Sequence, residues 1–576
     1  MSWETSALFY HIYPLGLCGA PWENPGGEPV SRINCLYDWI PHLKNLHVNA
    51  IYFSPLWESG THGYDTHDYT QLDRRLGTNA DFARLCDALH ANGIRVVIDG
   101  VFNHVGRGFF AFQDVLKNGQ SSPYCSWFCN LWFGGSNRFG DPFSYESWHG
   151  CEELVKLNLK NNDVVNYLEN AILGWMDQFH IDGIRFDAAD CIDPDFFRRI
   201  RHTIKQKNPE CWLMGELIHG NYAQYANPDM LDSSTNYECW KGIWSSHNDK
   251  NYFEINYAMN RQKDIYPNLQ LYNFADNHDV ARIATQLRDR RHLPLVYALL
   301  YAMPGIPSIY YGSEFGIEGE KQQGSDANLR PALDIAQMHP ESNPLTQFLC
   351  RLGAAYAAKE ALHTGSFQTV EVRNQQLVFR RGENDGAVYC VLNLSDAPSG
   401  LPLPIGGDGW YDLLSGEPVA ATGGITAPAF SAMWIAKSSP EELARIAQTP
   451  ETVAQPETGA LSAPEPALTE TAAPQQTEDT NRDASSHSAK ADAASEPENP
   501  AEMTAAELVW KLSLLDRCMT REKLSEAFGR EPEDKQEGSN VVYEYQFDGG
   551  VTLRLWGDPI LRAALQYGDR AFEILL

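Results

Sequence analysis

Residues 181–187 read Ile181-Asp182-Gly183-Ile184-Arg185-Phe186-Asp187. The run is short, largely apolar, and closes on a charge. As an extended strand it puts Arg185 and Asp187, two residues apart, on the same side. A polar loop follows, then a longer segment with helical periodicity. The same unit recurs along residues 1–360, with apolar runs at Leu8–Tyr13, Ala50–Ser54, Val96–Val101, Ile181–Phe186, Trp212–Gly215, Met230–Ser233, Leu269–Phe274 and Ser308–Tyr311. Strands alternating with helices predict a parallel sheet of the α/β class, and eight of them predict a (β/α)8 TIM barrel over residues 1–360. The apolar character of the runs fits strands covered on both faces.

Charged residues collect where these runs end. Asp99, Asp187, Glu216 and Asp279 each stand at or just past a strand terminus, which in such a barrel is the catalytic face. The third run is followed by a long irregular insert, about residues 105–158, rich in rings (Trp127, Phe128, Trp132, Phe133, Phe139, Phe143, Tyr145, Trp148). A connection of that size is uncommon without a role, and it reads as a small subdomain walling a cleft.

Beyond the barrel the pattern changes. Residues 361–437 carry short alternating runs between Gly, Asn and Pro turns, which predicts a C-terminal antiparallel β-sandwich. Residues 438–500 are rich in Pro, Ala, Glu, Thr and Ser, with twelve Asp/Glu against three Lys/Arg. Such a composition cannot bury enough apolar surface to offset ordering, so a disordered linker is expected. Residues 501–576 regain pattern. Thr504 and Glu507 make a capping box for a helix through Leu515, and Val541–Phe547 with Val551–Trp556 reads as a hairpin around Asp548-Gly549-Gly550. This small α+β module shows no catalytic signature and reads as a docking piece for a protein or a glycan.

The formal net charge of -30 argues against nucleic acid, whose phosphates require Lys and Arg, and against an anionic membrane surface. A neutral, hydroxyl-rich ligand meets no such objection, and the 15 Trp include candidates for stacking on sugar faces. The 12 Cys are scattered, and they read as reduced thiols rather than disulfides or a zinc site. Met1–Pro14 has no secretory pattern, and no apolar stretch is long enough for a membrane span, so a cytoplasmic protein is expected.

Cleaving a glycosidic bond with retention needs one carboxylate to attack and one carboxyl group to protonate the leaving oxygen. A third negative charge can hold the sugar as positive charge develops. Asp187, Glu216 and Asp279 offer this set, and their neighbours sharpen the reading. The segments Asp99-Gly-Val-Phe-Asn103-His104, Gly183-Ile-Arg185-Phe-Asp187, Gly215-Glu216 and Phe274-Ala-Asp-Asn277-His278-Asp279 occur in this order, with Gly63-Tyr64-Asp65 upstream and Pro304 to Gly312 downstream. Over about residues 5–437 the chain resembles the α-amylase family of glycoside hydrolases, family 13.

The resemblance implies Asp187 as nucleophile, Glu216 as general acid/base and Asp279 as transition-state stabiliser. It also implies that Arg185 keeps Asp187 ionised, that Asp99 is structural within the site, and that His104 and His278 donate to sugar hydroxyls above a ring stacked on Tyr64. Asp65, His219 and Asn277 join the substrate-binding set, and Asp326 with Arg330 matches a pair that binds the next sugar. Leu154-Val-Lys-Leu-Asn158 and Gly215-Glu216-Leu-Ile-His219 resemble most closely the neopullulanase, cyclomaltodextrinase and maltogenic amylase members, although this chain starts the barrel without their N-terminal domain. No cofactor is required for the chemistry. Asn103 matches one ligand of a structural calcium in the family. However, the Lys-His pair that follows the nucleophile in many members is here Asp190 and Cys191, which weakens that implication.

The expected activity is hydrolysis of α-1,4-linked maltodextrins and related α-glucan oligosaccharides, extending to α-1,6 links. A glucanotransferase or isomerase could use the same site, since only the acceptor differs. An inactive carbohydrate-binding scaffold is disfavoured because all three acids are present.

Overall fold

The computed structural model describes residues 2–322, 325–447 and five strands between 533 and 574. Eight parallel strands form one sheet: β1 (Phe9–Ile12), β2 (Ala50–Phe53), β3 (Arg95–Gly100), β4 (Gly183–Phe186), β5 (Trp212–Gly215), β6 (Ser233–Ser234), β7 (Tyr272–Phe274) and β8 (Ile306–Tyr310). Their order is β6-β5-β4-β3-β2-β1-β8-β7. A parallel bridge between Thr235 and Tyr272 joins the two ends, so the sheet is a nearly closed barrel, as the repeated unit predicts.

Helices separate the strands, and local chemistry starts them. Asn79–Ala91 opens on a reciprocal capping box between Thr78 and Asp81, and Asn161 caps Asn162–Phe179. The strand parity divides the apolar residues. Phe9, Ala50, Tyr52, Val97, Trp212, Met214, Tyr272, Phe274 and Ile306 pack together inside the barrel. Most of their neighbours along the strands join a larger cluster under the helices.

The insert contains a three-stranded antiparallel sheet, in which His104–Gly106 and Ser147–Trp148 both pair with Cys151–Lys156, and the helix Phe110–Asn118. The C-terminal strands are β9 (Phe367–Val372), β10 (Gln376–Arg381), β11 (Val388–Asn393), β12 (Ser399–Pro402), β13 (Trp410–Asp412), β14 (Gly424–Ala427) and β15 (Ser431–Lys437). They form a β9-β10-β11-β15-β13 sheet and a β12-β14 pair, the expected antiparallel sandwich. Buried Arg381 ties it to the barrel by donating to the Ala302 carbonyl at 2.8 Å.

Barrel and sandwich belong to one compact unit, Met1–Gly459, and Ala460–Leu576 forms another. The first residues of the expected 438–500 linker depart from that reading, because Pro440–Ala447 is helical. Ile446 is buried and Glu442 pairs with Lys359 at 2.7 Å. A local apolar face outweighs the polar average of the surrounding sequence, and Glu441 and Glu442 suit the helix N-terminus. Residues 448–500 and the expected helix over 504–515 lie outside the described residues. In the second unit, Glu533–Glu537, Asn540–Phe547, Val551–Trp556, Arg562–Tyr567 and Arg570–Ile574 pair antiparallel in chain order. The expected hairpin is among these pairs, with Phe547 opposite Val551.

Candidate active site

Side chains alternate along a strand, so the inner parity extends upward to the carboxyl end of the barrel. Phe9 leads to His11, Tyr52 to Ser54, Val97 to Asp99, Gly183 to Arg185 and Asp187, and Met214 to Glu216. In register Asp99 lies opposite Arg185, and Arg185 opposite Met214. Neighbouring strands thus deliver one guanidinium and three carboxyl groups to one point.

Arg185 is 2% exposed and holds all three. Its Nη1 donates to Asp99 Oδ1 and Oδ2 at 3.0 and 2.9 Å and to Asp187 Oδ1 at 2.9 Å. Its Nη2 lies 2.8 Å from Glu216 Oε1. Asp187 and Glu216 are 7% and 9% exposed, so both open narrowly to solvent. The residue after Asp187, Ala188, takes a left-handed conformation (φ 44°), which is costly for a residue with a Cβ and is typical of functional turns. That turn points the Ala188 N–H at Glu216 Oε2, 3.1 Å away.

A second cluster faces the first. His278 Nε2 lies 3.0 Å from Asp279 Oδ2 and also contacts the Tyr64 hydroxyl. Arg330 Nη2 donates to Asp279 Oδ1 at 2.9 Å and to Asp326 Oδ2 at 3.0 Å, and its Nε donates to the His278 carbonyl at 3.0 Å. Tyr64 bridges the clusters, donating to Asp99 Oδ2 at 3.4 Å, with its ring stacked near the His278 ring. Asn277 shapes the turn: its Oδ1 accepts from the Asp279 N–H at 2.8 Å, and its Nδ2 donates to the Tyr237 hydroxyl at 3.1 Å.

The remaining expected residues are placed differently. Buried His104 accepts at Nδ1 from the Asn103 amide at 3.2 Å, which leaves its proton on Nε2, a buried atom without a partner. Asp65 spends its carboxylate on the Thr61 N–H and hydroxyl, at 3.2 and 3.0 Å, and so fixes the turn carrying Tyr64. His219 is exposed on the loop beyond β5. Among the described residues no group of three or more His, Cys, Asp or Glu is arranged to hold a metal ion, and Asn103 Nδ2 donates to His104 Nδ1.

The electrostatics follow from burial. Burial pushes Asp187 well above the usual carboxyl range; Arg185 opposes this, and the negative Glu216 and Asp99 add to it. Burial likewise raises Glu216 and Asp99 against the pull of Arg185. One guanidinium cannot balance three carboxylates, so the Asp187–Glu216 pair retains a proton well above the ordinary range. Asp279 goes the other way. Burial alone would raise it, but His278, Arg330 and Arg185 together hold it well below the usual range. Burial pushes His104 down to about 3, which keeps it neutral.

Several further contacts complete the site. Tyr52 donates to Asp99 at 2.8 Å, and Tyr237 to Glu216 at 3.4 Å. Tyr13 lies under the Arg330 guanidinium, 4.6 Å away. Inner-face parity marks Tyr52, two residues after Ala50. Tyr237 sits on a helix after β6, where only barrel closure brings it to the site.

Residues 30–345 match the alpha-amylase catalytic domain, and residues 367–434 match the maltogenic amylase C-terminal domain. A cyclomaltodextrinase of a Bacillus species is 32% identical over 417 residues, covering 68% of this chain and 73% of that protein. An intracellular maltogenic amylase of Bacillus subtilis is 29% identical over 385 residues, covering 63% of each. A solved cyclomaltodextrinase structure superposes with a TM-score of 0.66 at 29% identity, covering 75% of this chain and 78% of that one.

Proposed function

The chain belongs to the alpha-amylase family of glycoside hydrolases, and on that premise we propose that it hydrolyses α-1,4-glucosidic bonds of maltodextrins by double displacement. The observation that carries this reading is the sharing of one buried guanidinium by Asp187 and Glu216. A retaining mechanism needs two close carboxyl groups in opposite protonation states, and a pair holding a single proton meets that need.

In the first step Glu216 gives its proton to the glycosidic oxygen while the Asp187 carboxylate attacks the anomeric carbon. The glycosidic bond breaks, and the leaving chain departs with a hydroxyl. In the second step Glu216, now a carboxylate, takes a proton from water, which attacks the same carbon and releases Asp187. Arg185 anchors Asp187 and limits its rotation. Asp279, held in place by His278 and Arg330, presents its negative charge to a sugar becoming positive, and it stays ionised throughout because its value is held so low. His104 Nε2–H is a buried donor ready for a sugar hydroxyl. The Tyr64 ring offers an apolar face for that sugar.

The reading extends to location: an enzyme of the cell interior acting on short glucans. It is supported by the Bacillus subtilis relative, which is named as intracellular. The test is a product time course on maltoheptaose beside pullulan. Accumulation of shorter malto-oligosaccharides is the expected result. Products longer than the starting chain would replace hydrolysis with transfer, and an unchanged substrate would overturn the reading.

A further inference from the structure

The β1–β2 connection carries an exposed tryptophan, Trp22, at 53% of its surface. Leaving an indole in water forgoes the gain of burying it, yet its backbone is firmly held. Arg75, whose side chain is 1% exposed and paired with Asp73 at 2.6 Å, donates from Nη1 to the carbonyls of Pro21, Trp22 and Thr61 at 3.1, 2.7 and 2.7 Å. Asn24 adds two ties, from its N–H to the Gly60 carbonyl and from Nδ2 to the Ser59 carbonyl, each at 2.8 Å. The loop bearing Trp22 is thus joined to the turn bearing His62 and Tyr64.

The rings on these segments form a track. Trp22 lies 6.1 Å from His62 at an interplanar angle of 54°, His62 lies 6.0 Å from Tyr64 at 36°, and Tyr64 lies 5.6 Å from His278 at 7°. The rings of Trp22, His62 and Tyr64 therefore follow one another in a row that ends at the catalytic cluster. His62 supplies a polar contact between the two aromatic rings. Its Nδ1 accepts the Tyr64 N–H at 3.1 Å, and its carbonyl accepts the Tyr13 hydroxyl at 2.7 Å. Its proton therefore sits on Nε2, available to a sugar hydroxyl.

We infer that Trp22, reached past His62, forms a stacking subsite for an α-linked glucosyl unit beyond the one under Tyr64, on the donor side of the scissile bond. The inference rests on the reading of the site as an α-glucan hydrolase. It makes the enzyme sensitive to chain length, because a substrate of three units cannot reach Trp22 while also spanning the scissile bond.

The test compares kcat/KM for maltotriose and maltohexaose in the full-length wild type, Trp22→Ala and Trp22→Phe. Trp22→Ala should lower the maltohexaose value about 10-fold and leave maltotriose within about twofold, with Trp22→Phe recovering most of the loss. Trp22→Gln carries the same expectation if truncation to Ala alters folding, which the thermal midpoint reports. Equal losses on both substrates would mean a merely structural role and overturn the inference, as would no loss on either. A wild type that turns over neither substrate would overturn the hydrolase reading and this subsite together.

Discussion

Replacing Arg185 by Met should expose the charge balance of the site. The side chain is nearly fully buried and is bonded to Asp99, Asp187 and Glu216, so Met keeps the volume and removes the cation that touches all three. Breaking a buried ion pair from one side costs about 3–5 kcal/mol, because it leaves uncompensated charge. At about 2 cal/mol/K of unfolding entropy per residue, spread over the unit Met1–Gly459, this is a fall of about 3–5 °C in Tm.

The loss should depend on pH. Burial raises all three carboxyl groups in the fold, and Arg185 opposes that rise. A raised carboxyl contributes its stability fully at pH below the ordinary carboxyl range and loses it as pH rises through the folded value. Without Arg185 the folded values climb further, so the variant loses more at pH 8 than at pH 5, where protonation relieves the unpaired charge. Differential scanning calorimetry of wild type and variant at both pH values measures this. An equal fall at the two pH values, or none at pH 8, would refute the reasoning.

Four further outcomes follow. Glu216→Gln should lower turnover of maltodextrins by about 10²–10⁴-fold but spare an α-glycosyl fluoride, whose leaving group needs little protonation; equal losses on both would remove the acid role. Chain termination after Ala447 should leave turnover of short maltodextrins within about twofold. Termination after Lys437 should lower the thermal midpoint by removing Ile446 and the Lys359–Glu442 pair, worth about 2 kcal/mol, and coincident midpoints would contradict that packing. Chelation with EDTA should leave activity unchanged, since no step of the proposed chemistry uses a metal ion; a loss reversed by calcium would overturn this.

Much of the barrel is legible because each strand is covered on both faces and so reads as an apolar run closing on a polar residue. β6 is the weak case. It is two residues long, Ser233–Ser234, and the apolar Met230 and Leu231 that suggested it lie just before it. The candidate constellation is legible for a related reason. Arg185 and Asp187 share a face by parity alone, and parity continues to Glu216 from Met214. What parity cannot reach is contact made by closure and by turns. Tyr237 meets Glu216 only because the sheet curls round, and nothing in an alanine announces the left-handed Ala188 that orients Asp187 and Glu216. The same limit applies to Asp65, which lies within a recognisable motif but directs its carboxylate to Thr61. The helix Pro440–Ala447 was hidden by the polar composition around it.

In the proposed mechanism Asp187 attacks the anomeric carbon and Glu216 serves as acid and then base. The most direct test is proton NMR of the anomeric region in the first minutes of maltoheptaose cleavage, before mutarotation mixes the products. Two successive displacements at one carbon predict that the new reducing ends appear first as the α-anomer. First appearance of the β-anomer would mean a single displacement by water and would contradict the glycosyl-enzyme on Asp187.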